Sequence, residues 1–312
     1  MSTLAYKRTN VYEKADEKLL KEIFDYAEGY KKYLDEGKTE REACASAKRM
    51  AVENGYKPFK FGQKLKAGDK VYYDNRGKNL YLIKVGKANV AEDGIRILAS
   101  HIDSPRIDFK QVPLYESEDI AFAKTHYSGG IRKYQWATIP LALHGAVALK
   151  DGSVVNVKVG EDENDPVFYI SDLLPHLAAK QNAKTLGEGI GGEDLNIWLG
   201  NIPYVAAADE KDRTVKENLL KILNEKYGMT EEDFLSAELC VVPAYKAKDI
   251  GFDRALIGAY GHDDRVCSYP AFTALFDEKS DEHTTMVVLA DKEEIGSEGT
   301  TGMQCAVFLD LI

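Results

Sequence analysis

The sequence predicts an α/β protein: a mixed, mostly parallel sheet flanked by helices and interrupted by an inserted β-rich block. Three observations carry that prediction. Apolar residues near the start recur at three- and four-residue spacing, the period of one helix face. Thr284–Ala290 (TTMVVLA) is an apolar run of the kind buried in a parallel sheet. Between these regions lies a stretch of short β-branched segments and tight turns.

Taken in order, Leu19, Leu20, Ile23, Phe24, Ala27 and Tyr30 form one apolar stripe among lysines and glutamates, which predicts a first helix. Thr39 with Glu42 reads as a capping box opening a second helix, and Gly55 is its stop. Lys70–Tyr73, Leu80–Val85 and Ile95–Ser100 are short, β-branched or aromatic, and bounded by Gly, Asp or Asn, so they read as strands. Ala146–Lys150, Asp151-Gly152 and Val154–Val159 read as a hairpin with a tight turn. Trp136–Leu143, Val167–Ile170 and Glu238–Ala244 are further strand-like segments, and Thr214 with Glu217 caps a helix running to Tyr227. Val266–Phe276 reads as a helix whose Pro270 is tolerable near a first turn. The α/β segments 1–105 and 251–312 thus flank a β-rich insertion over 106–250.

The composition narrows the function classes. The 312 residues are 44% hydrophobic and 29% charged, ordinary for a soluble globular protein of about two domains. Acidic residues number 51 against 41 basic, a net charge of −10, which repels nucleic acid and anionic membranes. No apolar run approaches the roughly 20 residues that span a bilayer, and the N-terminus lacks a signal-peptide core. Cys44, Cys240, Cys267 and Cys305 are widely spaced, which fits a reducing cytoplasm better than a disulfide framework or a thiolate zinc site.

Three clusters carry chemistry. In His101-Ile102-Asp103-Ser104-Pro105, residues two apart share a side of an extended chain, so His101 could ligate a metal while Asp103 orients or polarises the neighbouring ligands. His101 and Asp103 alone also fit a surface pair. In His262-Asp263-Asp264-Arg265, adjacent carboxylates repel unless a cation or proton intervenes, and one Asp can bridge two metals; a helix N-terminus rich in acids is the other reading. Glu293-Glu294-Ile295-Gly296-Ser297 follows the apolar strand, where one glutamate can ligate and the other serve as general base, or both can sit in a polar loop. Ligands in open α/β sheets gather beyond the carboxyl ends of strands. A histidine plus carboxylates from three such points is a donor set that zinc, cobalt or manganese accepts.

HIDSP, HDDRVCSYPA and ADKEEIGSEGTTGMQ, in that order and spacing, resemble the aspartyl aminopeptidase and vacuolar aminopeptidase I family of dinuclear zinc metallo-aminopeptidases. PHLA around His176 and SGG at Ser128–Gly130 are similar too, and the likeness covers most of the chain. The Asp-Asp-Arg form of the second cluster looks more like the related tetrahedral aminopeptidases.

The resemblance implies a zinc-peptidase-like catalytic domain in two parts, 1–105 and 251–312, with 106–250 as dimerisation or lid domain. It implies two zinc ions per site. His101 and Glu294 would ligate one each, and Asp263 would bridge them, with Asp264 as the alternative. Asp103 would stand behind His101, and Glu293 would be the general base. His176 would reach into a neighbouring subunit's site; a histidine on a helix face is the other reading. The implied activity is removal of acidic or neutral N-terminal residues from peptides, by a dimer-based, tetrahedral homo-oligomer, a dodecamer in the family. The departures are specific. The family's PHLAIHL is PHLAAKQ here, with Lys180 in place of its second histidine. Family members continue beyond the EEIGS strand and supply two further ligands there, so the expectation is an N-terminal portion with an incomplete ligand set. A truncated non-catalytic homologue and another amide hydrolase or deacylase on the same scaffold are the rival expectations.

Overall fold

The computed structural model describes residues 4–204 and 214–312. Helix α1 (Glu17–Glu36) starts where Asp16 accepts the Leu19 N–H, and α2 (Glu40–Glu53) starts on the reciprocal Thr39–Glu42 capping box. Only the later turns of α1 are buried, at Tyr30, Tyr33 and Leu34. Leu19 and Phe24, expected on the buried stripe, are 41% and 37% exposed, because among the described residues no element covers the start of that helix. Strands β1 (Lys57–Pro58), β2 (Lys70–Asn75) and β3 (Asn79–Lys84) follow, then the short α3 (Val90–Asp93) and β4 (Arg96–His101).

The next segment forms a second sheet. Its strands are β5 (Arg106–Ser117), β6 (Ile120–Ser128), β7 (Leu141–Ala148), β8 (Val154–Val159), β9 (Ile197–Gly200) and β10 (Ala237–Pro243), all antiparallel in the order β8-β7-β10-β5-β6-β9. Helices α4 (Ala179–Asn182) and α5 (Val215–Tyr227) interrupt it, and Thr214 and Glu217 cap α5 as the spacing predicts. Val167–Ile170 contributes only isolated bridges, Leu141 to Phe168 and Tyr169 to Trp198, instead of a strand. Its own core gathers Ile107, Leu141, Val147, Ile197, Val241 and Val242 under α5.

After the small hairpin β11 (Lys248–Ile250) and β12 (Leu256–Gly258), helix α6 (His262–Asp277), strand β13 (Thr285–Ala290) and α7 (Ala306–Leu311) complete the fold. Strand β13 returns to the first sheet, ordered β1-β2-β3-β13-β4. That sheet is mixed, as expected, with its pairings evenly divided: β1–β2 and β13–β4 parallel, β2–β3 and β3–β13 antiparallel. Every residue of β13 is buried because helices cover both faces. Val287 and Leu289 pack with Tyr33, Leu34, Ala47 and Phe272 of α1, α2 and α6. Met286 and Val288 face Tyr81 and the α7 residues Val307 and Phe308. The period-two division of a continuous apolar run is what a strand between two helical layers requires.

Helix α6 begins earlier than the sequence predicts, at His262, and breaks at Asp263 and Asp264, whose backbone angles are not helical; the peptide bond between them is cis. Pro270 consequently lies inside the helix and not in its first turn, where its missing N–H leaves the Val266 carbonyl without its helical donor.

Candidate metal centre

His101 ends β4 and pairs with Ala290, the last residue of β13, so the two parallel strands deliver their carboxyl ends side by side. The chain beyond β13 turns through a short 3-10 helix, Glu293–Ile295, flanked by the left-handed residues Lys292 and Gly296. Asp263 enters from the broken start of α6. These three points of the chain meet: ligand atoms of His101, Asp263 and Glu294 all lie within 4.8 Å of one another.

The imidazole of His101 is held from behind. Its Nδ1 lies 3.0 Å from the Asp103 carbonyl oxygen and 3.3 Å from Asp103 Oδ1, which keeps the proton on that nitrogen. Nε2 points into the cluster, 3.1 Å from Asp263 Oδ1 and 3.6 Å from Glu293 Oε2. Burial lowers the imidazole pKa, but the hydrogen bonds and charge of Asp103, with Glu293 beyond, outweigh it and push the value up to about 9. Glu294 moves the same way for a different reason: burial first, then the Asp103 charge, raises its carboxyl, against the pull of the Gly130 N–H and His101.

Asp103 itself is buried, and its two oxygens accept the backbone N–H groups of Glu293 and Glu294 at 3.2 and 3.1 Å. One carboxylate thus orients the histidine and the turn that carries both glutamates. Glu293 sits at the mouth, with 57% of its side chain exposed. Asp263 is likewise open, at 83%. Gly129 lies against Glu294: a Cβ there would fall 2.5 Å from Glu294 Oε2, and its φ of +78° suits glycine.

His176 is not part of this gathering. It lies exposed in the turn Pro175–Leu177, and among the described residues no hydrogen bond or ion pair joins it to the cluster. Sequence reasoning missed the residues that tie the backbone together around the site. Ser104 Oγ donates to the Asp263 carbonyl at 2.8 Å, Ser268 Oγ to the His101 carbonyl at 2.8 Å, and the Tyr260 hydroxyl to the Pro105 carbonyl at 2.8 Å. Ser104 lies inside the His101–Pro105 motif, but its partner lies 159 residues on, so no local pattern reveals the bond. A cavity of about 340 Å³ opens beside the cluster, lined by Pro105, Ile131, Trp136, Tyr245, Tyr260 and Asp263.

Residues 33–312 match the family described as aminopeptidase I zinc metalloprotease (M18). The chain belongs to the M18 family. A probable M18 family aminopeptidase 1 from Clostridium acetobutylicum is 50% identical over 303 residues, covering 96% of this chain and 64% of that relative. The chain therefore spans less than two thirds of the length of the curated relatives it matches first. Among solved structures, an M18 aminopeptidase from Thermotoga maritima superposes with a TM-score of 0.91 at 41% identity, over 98% of this chain and 66% of that one. Aminopeptidase I from Borrelia burgdorferi follows at TM-score 0.81 and 39% identity, over 93% and 66%. A more distant structure, described as the mApe1 dodecamer of S. cerevisiae, shares the fold at TM-score 0.71 and 20% identity, over 93% and 66%. Among the described residues no helix is long and apolar enough to cross a membrane.

Proposed function

We propose that this M18 chain carries the metal-binding and proton-transfer part of a zinc aminopeptidase that releases acidic or neutral N-terminal residues from peptides. The observation that carries this reading is the convergence of His101, Asp263 and Glu294. An imidazole with its outer nitrogen backed by a carboxylate, plus two carboxylates, is a donor set zinc accepts, and the family description names zinc. On this reading His101, Asp263 and Glu294 would hold the zinc, and cobalt or manganese would suit the same donors. Zinc, when bound, supplies Lewis acidity toward a water and the scissile carbonyl.

The remaining steps belong to the chain's own groups. The exposed Glu293 carboxylate takes a proton from water as its oxygen bonds to the carbonyl carbon. When the C–N bond breaks, the same carboxyl returns that proton to the departing amine nitrogen. Asp103 holds His101 and the Glu293-Glu294 backbone in register throughout. Replacing Glu293 by Gln lowers turnover of leucyl- and aspartyl-anilides by about 10²–10⁴-fold while zinc content measured by elemental analysis stays unchanged; undiminished turnover rejects the assignment. A second reading, a non-catalytic homologue, is favoured by the small donor set, three residues among the described ones. Zinc bound without anilide turnover supports it, and cleavage of N-acyl amino acids instead points to a deacylase.

The 106–250 segment is read here as the dimerisation or lid domain of a homo-oligomer. The surface around His176 supports this: Leu173, Leu174 and Leu177 are 54%, 65% and 70% exposed, an apolar patch that a second copy would cover. His176 would then act in that copy's site. The four cysteines are free, which suits a reducing compartment.

A further inference from the structure

Arg265 has the largest wholly buried side chain among the described residues, at 0% exposure. A buried guanidinium is costly unless it is paired, yet among the described residues it forms no ion pair. It finds two main-chain carbonyls instead. Nε and Nη2 donate to the Ile102 oxygen at 3.2 and 3.0 Å, and Nη2 also donates to the Lys38 oxygen at 3.2 Å. The Tyr260 ring lies 5.8 Å away, and Gly261 makes room, since a Cβ there would fall 2.2 Å from Nη1. Ile102 separates His101 from Asp103, and its N–H continues the sheet by bonding the Ala290 oxygen at 2.8 Å. Arg265 itself lies two residues beyond Asp263.

We propose that Arg265 is a positioning residue of the metal centre: its planar fork clamps the peptide between His101 and Asp103 against α6, fixing those two side chains relative to Asp263. The proposal rests on reading the cluster as a metal site. The fork, not the charge, is the working part. A lysine keeps the charge but offers one compact donor group in place of a fork that spans two carbonyls. A displacement of this peptide moves His101 and Asp103 together, and groups that orient ligands typically change metal affinity 10–100-fold when lost.

The test is cobalt titration of the intact chain with R265K, followed by its visible absorption, and hydrogen exchange of the amides near Ile102. Expected are a 10–100-fold weaker cobalt affinity, an altered spectrum, and at least tenfold faster exchange confined to that loop. The control is T125V, which removes the bond from Thr125 to the Leu195 carbonyl in the other sheet; it lowers stability and leaves cobalt binding and the loop's exchange unchanged. Should R265K not fold, G261A keeps the arginine but drives a methyl group into Nη1, and the same losses are expected. Parent-like affinity and exchange in the folded variant overturn the proposal. If the parent chain binds no cobalt, the metal reading has failed; loop-confined acceleration of exchange then still supports the clamp, and unchanged exchange overturns it.

Discussion

Asp103 shows how one buried carboxylate can serve three neighbours at once. It faces His101 Nδ1 and accepts two consecutive backbone N–H groups, from Glu293 and Glu294. An amide in its place has one acceptor oxygen and one donor nitrogen, so Asp103→Asn leaves a backbone N–H facing a donor. We expect zinc affinity to fall about 10–100-fold and stability to drop by about 1–3 kcal/mol, measured by zinc titration and urea unfolding. Zinc binding equal to that of the parent would show that Asp103 is not needed to hold the ligands. The sequence placed Asp103 behind His101 through the two-residue spacing of an extended chain. It did not reveal the bonds to Glu293 and Glu294, which join positions 190 and 191 residues apart.

At the scale of elements, the start of α2 is clamped to the second sheet by charge. Glu40 pairs with Arg106 of β5 and lies 3.4 Å from Lys78, which in turn holds Glu238 of β10 at 2.8 Å. His144 of β7 lies 2.9 Å from Glu42. Burial alone would raise the Glu40 carboxyl, but Arg106 and Lys78 outweigh it and hold the pKa at about 2 against the ordinary 4.5. The folded-state value is depressed, so this group's stabilisation is fully present above the unfolded pKa of 4.5 and disappears as pH falls through 2. The shift corresponds to roughly 3 kcal/mol at pH 7. We therefore expect the stability difference between the parent and Glu40→Gln to narrow by roughly 2 kcal/mol between pH 7 and pH 3, read from urea unfolding. A difference independent of pH would mean that Glu40 is not held as a paired anion. The Thr39–Glu42 capping box was legible, but the ionic clamp was not, because Lys78 comes from the β2–β3 turn and Arg106 from β5, both distant in the chain.

At the scale of the whole molecule, two surfaces stand out. Strand β4 closes one edge of the mixed sheet with Ile97 and Leu98 at 41% and 44% exposure, although the strand ends in a candidate ligand. The other is the irregular segment around His176, with its three exposed leucines. If copies meet there, the double change Leu174→Asp and Leu177→Asp lowers the sedimentation coefficient of the parent assembly without altering its circular dichroism. A parent that sediments as a monomer, or a variant with undiminished assembly, counts against that face.

The sequence by itself determined the α/β class, both capping boxes, the buried strand β13 and the three motifs, because helix period, cap chemistry and apolar runs are local properties. Only the tertiary structure decided that β13 lies between β3 and β4, so that His101 and Ala290 align and His101, Asp263 and Glu294 converge. It also decided that Leu19 and Phe24 stay in solvent and that His176 stands apart from the cluster. The physical reason is common to all of these: they depend on which distant segment supplies the covering side chain or the opposing charge, and residue spacing along a chain does not encode that.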